Sequence, residues 1–203
     1  MTYKFLNRPL EDGAYEPEGI YLSLPLESDC VVVQFWGEHV DHYRQFYYNG
    51  IPLKGHNGID FLVIPDAYVV AVDPGRVTEI GEEQGGLGRY VKVEHRWGES
   101  FYAHLDLILV DSGQLVTRGA RLAAISEPDL SVTIASSQSR QSYLHFSIRM
   151  KPFNRFDGWG GFVDPLPYLN PAKLVLPFDM DLDPNVSFTP HTMAQEQSPM
   201  RRP

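Results

Sequence analysis

One aspartate and three histidines in this sequence have the spacing and surroundings to bind a metal ion together. His56 and Asp60 are separated by three residues in a glycine-containing turn, so both side chains can reach one ion. His104 ends a β-like segment, and His145 lies within another. Two neutral imidazoles and one carboxylate are a ligand set of catalytic zinc sites, which keep the fourth position for water and substrate. These residues therefore predict a zinc site of the catalytic kind.

Short β-branched and aromatic segments must position these residues. They recur about every 8–12 residues between glycine and proline turns, which is typical of an all-β sandwich or barrel. A helical pattern is nearly absent, and only residues 39–47 could form one or two helical turns. The fold class we predict is all-β, with strands at residues 31–35, 59–64, 68–72, 76–80, 90–94, 101–104, 107–110, 122–125, 132–135 and 143–150.

The last expected strand separates two kinds of side chain. Alternation along the strand places on one face Tyr143, His145 and Ser147. The opposite face is apolar and carries Leu144, Phe146 and Ile148. We therefore expect His145 on the face opposite the hydrophobic core.

The composition excludes several classes of site and partner. The 203 residues contain one cysteine, Cys30, so an internal disulfide and a thiolate zinc finger are excluded, and a metal must be bound by histidine and carboxylate. A net charge of −9 argues against nucleic acid and anionic membranes as main partners. No apolar run approaches the roughly 18 residues of a membrane-spanning helix, and the first residues lack the apolar core of a secretory signal.

One domain with two flanking segments is the expected organisation. Residues 1–29 are broken by glycine and proline and predict an extended N-terminal arm. Residues 30–176 carry the strand pattern, and residues 177–203 are poor in apolar periodicity, which predicts a flexible tail. Within the domain, residues 68–77 and 112–122 each read as strand, glycine turn and strand, as the two halves of a flattened barrel would.

Several short motifs occur in an order that is typical of one enzyme family. They lie between residues 53 and 169 and are, in order, Gly-His-x-Gly-x-Asp-Phe, Tyr-Ala-His-Leu, Gly-x-x-Val-x-x-Gly, Leu-His-Phe-x-Ile-Arg and Val-Asp-Pro-Leu-Pro-Tyr-Leu. The chain therefore resembles the lysostaphin/LytM-type family of zinc metalloendopeptidases, which cut peptidoglycan peptides. The resemblance covers more than half of the chain.

The resemblance implies a fold, a cofactor and a division of roles. The fold would be a small antiparallel barrel-sandwich of the duplicated hybrid-motif type, with the site in a groove across one sheet. At the matching positions, His56, Asp60 and His145 would bind Zn²⁺. His104 would act beside the metal as general base or transition-state stabiliser. The implied activity is hydrolysis of peptide bonds in peptidoglycan stems or cross-bridges by a metal-activated water.

Tyr143 departs from the family's pattern. The last motif of the family is His-x-His and its first histidine is catalytic, whereas this sequence has Tyr143-Leu144-His145. The usual glycine-containing lead-in is also replaced, by residues 136–141. A tyrosine hydroxyl can donate a hydrogen bond to an oxyanion but shares its proton less readily than imidazole at neutral pH. Either His104 carries the acid–base step with Tyr143 as donor, or the domain binds wall peptides without cutting them.

Other candidate residues have simpler interpretations. His39 and His42 lie in a polar stretch that we interpret as a solvated loop, and a β-turn is enough to explain His95. We therefore assign none of these three histidines to the metal. The aromatic residues of 36–48 and the glycine-rich loop 157–162 are candidate walls of the groove.

Two other functions compete with the enzyme on the sequence alone. One is a catalytically weakened or inactive domain that binds wall peptides or regulates another wall hydrolase, which the tyrosine favours and the retained ligand set opposes. The other is a lipoyl- or biotinyl-type carrier, which the glycine-flanked segment at residues 113–119 resembles; we set it aside because no lysine stands at an expected hairpin tip.

The sequence leaves the cellular location undetermined. No leader or transmembrane segment is visible, yet the implied partners are peptidoglycan peptides, so we expect delivery by a phage particle, a lysis system or a special export route. Because wall polymers are often anionic, the charge of −9 also predicts a protein partner that supplies wall affinity.

Overall fold

The computed structural model describes residues 8–9, 15–16, 20–63, 67–83, 87–125 and 142–176. Three expectations fall outside these ranges: the strand at 132–135, the lead-in at 136–141 and the tail at 177–203. Inside them, almost all regular structure is β-strand, as the β-branched and aromatic pattern predicts. The all-β fold class is therefore confirmed.

The strands are short and follow one another closely. In chain order they are β1 (Arg8–Pro9), β2 (Tyr15–Glu16), β3 (Cys30–Gln34), β4 (Tyr47–Tyr48), β5 (Ile51–Pro52), β6 (Ile59–Val63), β7 (Ala67–Val70), β8 (Gly75–Glu83), β9 (Gly88–Glu94), β10 (Gly98–Leu105), β11 (Leu107–Ile108), β12 (Leu115–Val116), β13 (Arg121–Ile125), β14 (Ser142–Met150), β15 (Phe162–Val163) and β16 (Leu174–Val175). The described helical elements are α1 (Val40–Tyr43) and two 3₁₀ turns, Leu166–Tyr168 and Pro171–Lys173. None of these helices has the length and hydropathy to cross a membrane.

A nine-stranded sheet forms the frame of the molecule. Its strand order is β12-β8-β9-β10-β14-β6-β3-β16, with β15 paired to β14. Neighbouring strands run antiparallel except β16, which is parallel to β3. Strands β11, β13 and β7 form a separate three-stranded sheet. Because β14 pairs with both β10 and β6, the large sheet brings early and late parts of the chain together.

One hydrophobic core lies against the inner face of the large sheet. Leu144, Phe146 and Ile148 of β14 are fully buried there. Val69 and Leu122 of the three-stranded sheet belong to the same cluster. The alternation along β14 is therefore confirmed. Burial of this apolar surface, at about 25 cal/mol per Å², stabilises the packing of the two sheets.

The outer face of the large sheet carries polar and aromatic side chains. His145 lies opposite Asp60 on β6 and opposite Ala103 on β10. Two residues farther along β14, Ser147 lies opposite Phe101. Directly opposed residues of neighbouring strands point to the same face, so these side chains form one continuous surface.

Residues before β3 contribute to the same core. Leu22, Leu24 and Leu26 are buried within it. The Leu22 N–H donates to the Tyr168 carbonyl oxygen at 2.9 Å, and the Val70 N–H donates to the Pro25 carbonyl oxygen at 2.8 Å. The stretch preceding β3 is therefore held by hydrogen bonds as well as by packing.

A hairpin that the sequence analysis did not anticipate lies before β6. Strands β4 and β5 pair through Tyr48 and Ile51. The two residues between them, Asn49 and Gly50, have φ angles of 49° and 76°. Positive φ at both central positions is a property of the type I′ turn, which an Asn-Gly pair favours. The helical turn expected within residues 39–47 is present as α1.

Candidate metal centre

His56, Asp60 and His145 converge at the outer face of the large sheet. His145 Nδ1 lies 2.9 Å from Asp60 Oδ1 and 3.0 Å from His56 Nε2. His56 Nε2 lies 3.2 Å from Asp60 Oδ1. Donor atoms bound to one tetrahedral zinc ion would lie about 3.3 Å apart. The three atoms therefore fit this ion in both chemistry and spacing.

Local backbone geometry brings the three side chains together. Asp60 and His145 are directly paired residues of β6 and β14. His56 lies one short turn before β6. In that turn, a Cβ atom at Gly58 would lie 2.6 Å from His145 Cε1. Glycine is therefore required at this position because the imidazole of His145 occupies the space of a side chain.

Hydrogen bonds outside the cluster orient both imidazoles. His56 Nδ1 lies 3.0 Å from the Phe35 carbonyl oxygen. That oxygen only accepts, so Nδ1 donates its proton, and Nε2 presents a lone pair to the cluster when the imidazole is neutral, as in a metal-bound histidine. His145 Nε2 lies 2.9 Å from Ser147 Oγ, and Nδ1 presents a lone pair when Nε2 donates to this hydroxyl. Such outer contacts fix the tautomer and orientation of metal-binding histidines.

The electrostatics of the cluster favour an ionised Asp60. The Asp60 side chain is buried, which alone would raise the pKa of its carboxyl group. His56 and His145 outweigh this effect through charge and hydrogen bonding, and they hold the pKa well below its usual range. Asp60 is therefore a carboxylate at neutral pH, as a metal ligand must be.

His104 lies beside the His56, Asp60 and His145 cluster but is not one of its members. Its ring centroid is 6.4 Å from that of His145. The register between β10 and β9 shifts between Ala103 and Leu105, so His104 is the extra residue of a bulge. Its φ of 63° is uncommon for a residue other than glycine. Bulges of this kind redirect a side chain, which here brings a third imidazole toward the cluster.

Tyr143 shares the face of β14 that carries His145. Burial raises the pKa of its hydroxyl, and the negative charge of Asp60 raises it further. The phenol therefore keeps its proton at neutral pH and is a hydrogen-bond donor beside the cluster.

Tyr43, one of the aromatic residues of the candidate groove wall, contacts the cluster, and Gln34, which the sequence did not single out, contacts Tyr43. The Tyr43 ring stacks on the His56 ring, with centroids 5.3 Å apart and planes 29° apart. Gln34 Nε2 donates a hydrogen bond to Tyr43 Oη at 2.9 Å. One sequence signal pointed here: Gln34 is a polar residue inside an otherwise apolar strand, opposite Asp60 on β6.

The two candidate groove walls touch each other through their tryptophans. Trp36 of the 36–48 segment stacks on Trp159 of the 157–162 loop, with ring centroids 4.6 Å apart and planes 29° apart. Stacked aromatic pairs of this kind are worth about 0.5–1.5 kcal/mol beyond their buried area. Two segments far apart in sequence therefore form one aromatic surface at the outer face.

Arg149 of β14 holds the second of these segments in place. Its side chain is 1% exposed. Nε donates to the Gly160 carbonyl oxygen at 2.9 Å, and Nη1 donates to Glu99 Oε1 at 2.5 Å. Nη2 donates to the hydroxyl of Tyr48, and the guanidinium carbon lies 3.9 Å from the ring centroid of Phe162. One buried cation thus links β14, β10, the hairpin and the 157–162 loop.

His95 is buried, whereas the sequence alone indicated only a residue of a β-turn. Its Nδ1 lies 2.9 Å from the Pro74 carbonyl oxygen, and its Nε2 lies 2.6 Å from Ser100 Oγ. The hydroxyls of Ser100 and Tyr102 are 3.0 Å apart, and the Trp97 ring stacks on the imidazole. Burial lowers the pKa of His95, although the hydrogen bond that Nδ1 donates to the Pro74 carbonyl oxygen opposes this by favouring the protonated ring. His95 therefore belongs to a polar network inside the fold.

The other two histidines within the described residues, His39 and His42, take no part in the cluster. His39 is exposed before α1, and His42 packs against Tyr43 and Phe46. Across the part of the chain that the structure covers, a single group of three histidine, cysteine or acidic residues could hold a metal ion, and its members are His56, Asp60 and His145.

Comparison with known proteins points to one family. The sequence profile of Peptidase family M23 matches residues 54–157, just over half of the chain. The murein hydrolase activator NlpD of Escherichia coli strain K12 is 32% identical over 116 residues, which cover 57% of this chain and 26% of NlpD. The peptidoglycan DD-endopeptidase ShyB of Vibrio cholerae is 32% identical over 97 residues, which cover 47% of this chain and 21% of ShyB.

A solved structure shares the fold. The crystal structure of Csd3 from Helicobacter pylori superposes with a TM-score of 0.51 and 19% sequence identity, over 83% of this chain and 42% of Csd3. At that identity the likeness concerns the fold alone. The chain spans less than half the length of the curated relatives it matches.

Proposed function

The chain belongs to peptidase family M23, and on that premise we propose that it is a zinc-dependent endopeptidase acting on the peptides of peptidoglycan. The observation that carries the proposal is the convergence of His56, Asp60 and His145, whose donor atoms lie 2.9–3.2 Å apart. A domain that only binds peptides gains nothing from two imidazoles and a buried carboxylate aimed at one point. Zn²⁺ bound by these three side chains would be the cofactor.

Two relatives support a role at the cell wall. ShyB is by name a peptidoglycan DD-endopeptidase, and NlpD is by name a murein hydrolase activator. Peptide bonds in peptidoglycan stems or cross-bridges are therefore the substrate class of the proposal. The proposal also includes a protein partner that supplies wall affinity, because wall polymers are often anionic and the chain carries a net charge of −9.

The proposal assigns the activity to residues 30–176. β3 and β16, which lie near the ends of this range, pair with each other at one edge of the large sheet. Residues 1–29 would be an arm on this domain and residues 177–203 a tail.

Each ligand side chain has a defined task in the proposed site. When zinc is bound, it lowers the pKa of a water molecule and polarises the scissile carbonyl group. Asp60 supplies the negative charge that favours binding of a cation. His56 and His145 present lone pairs, because the Phe35 carbonyl oxygen and the Ser147 hydroxyl take up their other ring nitrogens.

His104 and Tyr143 would handle protons beside the ligands. A nitrogen of the His104 imidazole would accept a proton from the attacking water and pass it to the leaving amine, since imidazole titrates near neutral pH. The Tyr143 hydroxyl, which keeps its proton, would donate a hydrogen bond to the oxygen of the scissile carbonyl as negative charge develops there. In this scheme His104 acts as both the general base and the general acid.

A second candidate function has one observation in its favour. Tyr143 stands where the His-x-His pattern has a catalytic histidine. A domain that binds wall peptides, or that regulates another wall hydrolase, would keep the fold without turnover. The name of NlpD, an activator, is consistent with such a role in a relative.

Zinc content and digestion of sacculi separate the two functions. The 203-residue protein, purified without chelator, is expected to hold about one zinc ion per chain, and His145→Ala to lose it. The wild-type protein should release peptides from cross-linked peptidoglycan, and His104→Ala should slow release by about 10²–10⁴-fold while keeping zinc. Zinc-loaded protein that leaves sacculi of several cross-link types intact would favour the regulator, and protein without zinc would contradict the metal site.

A further inference from the structure

The segment from Gln34 to Tyr43 surrounds His56 on several sides. The Gly37 N–H donates to the His56 carbonyl oxygen at 2.8 Å, and the His56 N–H donates to the Glu38 carbonyl oxygen at 3.0 Å. The imidazole adds two more contacts to this segment, through Nδ1 and through its ring face. All of these partners precede residue 54, where the match to the M23 profile begins. A stretch outside the matched region therefore fixes the first proposed ligand.

The backbone contacts alone do not fix the plane of the His56 ring. The hydrogen bond from Nδ1 to the Phe35 carbonyl oxygen holds one ring atom, and the ring can still tilt about that bond. Tyr43 removes this freedom, because its ring lies against the imidazole at 5.3 Å between centroids. With the plane fixed, Nε2 stays directed at Asp60 and His145.

Tyr43 is itself held in a single position. Its side chain is buried, and its hydroxyl accepts a hydrogen bond from Gln34 Nε2 at 2.9 Å. Gln34 is also buried and lies opposite Asp60 on the neighbouring strand. The Phe46 ring packs against Tyr43 from within the same segment, with centroids 6.2 Å apart. The Tyr43 ring that stacks on His56 is therefore held by Phe46 at its edge and by Gln34 at its hydroxyl.

We propose that Tyr43 is a positioning residue for His56: its ring sets the plane of the imidazole, and Gln34 sets the position of the ring. This inference rests on the proposed function, because it takes His56 to be a zinc ligand. Tyr43 touches no reacting atom in this scheme. Its effect is to hold Nε2 ready for the metal, so that zinc binding does not have to order the ring.

The affinity for zinc tests the proposal without any measurement of turnover. The zinc dissociation constant is measured by competition with a chromophoric chelator, for the wild-type protein, Tyr43→Leu, Tyr43→Phe and the control Tyr68→Leu. Tyr43→Leu should weaken binding about 10–100-fold, as loss of an outer contact to a ligand does. Tyr43→Phe keeps the ring and loses the anchor, so roughly 2- to 10-fold is expected. Tyr68→Leu makes the same change in the separate three-stranded sheet, where the tyrosine ring lies against Arg121, and should bind within about twofold of wild type.

A spectroscopic readout separates positioning from general packing. In the Co²⁺-substituted protein, the visible absorption bands report ligand geometry, and Tyr43→Leu should shift them while Tyr68→Leu leaves them unchanged. A folded Tyr43→Leu protein with wild-type affinity and an unshifted spectrum would overturn the proposal. If Tyr43→Leu does not fold, Tyr43→Phe decides, and affinity equal to that of Tyr68→Leu overturns it.

The two proposals can fail separately. Wild-type protein that binds no zinc overturns the proposed function and this inference together. Wild-type protein that binds zinc but leaves peptidoglycan intact overturns only the enzymatic function, and the affinities of the Tyr43 variants still decide the positioning role.

Discussion

Tyr143 is the residue at which this chain departs from the His-x-His pattern. Burial and the charge of Asp60 raise the pKa of its hydroxyl, so it can donate a proton in a hydrogen bond but not take one up at neutral pH. A histidine at this position could do both. The substitution therefore leaves His104 as the one side chain beside the proposed ligands, among those we assign to catalysis, with a proton to exchange near neutral pH.

Substitution of Tyr143 tests its proposed role as donor. Tyr143→Phe removes only the hydroxyl and should lower kcat about 10²-fold with zinc content unchanged, as loss of an oxyanion donor does. Tyr143→His keeps a donor and should retain at least the wild-type rate. Both variants are compared by kcat and KM on a cross-linked peptidoglycan peptide. Equal rates for wild type and Tyr143→Phe would remove Tyr143 from the catalytic machinery.

The residues of the site differ in how far the sequence could reveal them. His56, Asp60 and His145 lie in short motifs that resemble those of a known family, so they could be named in advance as candidate ligands. Tyr43 could be named only as one aromatic residue of a candidate groove wall, because its contact with His56 depends on how the chain folds back after β3. His95 was missed for a related reason: whether a turn residue faces solvent or a buried hydroxyl is decided by packing.

At the scale of elements, Arg149 links the large sheet to the 157–162 loop. Its three nitrogen donors each have an oxygen partner, and the side chain is almost fully buried. Removing one partner of a buried ion pair leaves the other charge without compensation. The loop that carries Trp159 therefore depends on a residue of the same strand as His145.

Replacement of Arg149 should destabilise the protein strongly. Arg149→Met is expected to lower the free energy of unfolding by about 3 kcal/mol, because Glu99 loses its buried partner. Lys151→Met is the matched control: Lys151 pairs with Glu94 at 2.6 Å, but both side chains are about half exposed. Its loss should cost less than about 1 kcal/mol. Urea denaturation measures both, and similar values for the two variants would contradict the role given to Arg149.

Elements that depend on local pattern were predicted better than those that depend on pairing. The alternation of β14 identified its core face correctly. The β4–β5 hairpin was missed although Asn49-Gly50 is a strong local signal, because the flanking strands have only two residues each. The parallel pairing of β16 with β3 joins residues distant in sequence, and no local pattern indicates such a partner.

For the whole molecule, His95 makes stability depend on pH. Burial lowers its pKa from the usual 6.5, and the hydrogen bond to the Pro74 carbonyl oxygen and the charge of Asp73 only partly oppose this. Below pH 6.5 the His95 imidazole binds a proton more readily in the unfolded chain than in the folded chain. The contribution is therefore absent at higher pH and becomes destabilising as the pH falls below about 6.5.

The pH dependence of unfolding tests this assignment. In the presence of chelator, the free energy of unfolding should fall between about pH 7 and pH 5.5, and His95→Asn should reduce the slope. His39→Asn alters an exposed histidine and serves as the control, since asparagine tolerates the positive φ at that position. The measurement is urea denaturation at a series of pH values. An identical slope in wild type and His95→Asn would contradict the prediction.

The positions of the proposed ligands in the sequence also impose an order on synthesis and folding. Asp60 and His145 are 85 residues apart, yet their strands are hydrogen-bonded neighbours. Contacts of such long sequence separation form late in folding. During synthesis, the third proposed ligand, His145, is therefore available to Asp60 on β6 only after β14 has left the ribosome. A nascent chain is thus unable to assemble the complete cluster until β14 has been made, and zinc binding by all three proposed ligands would follow that step.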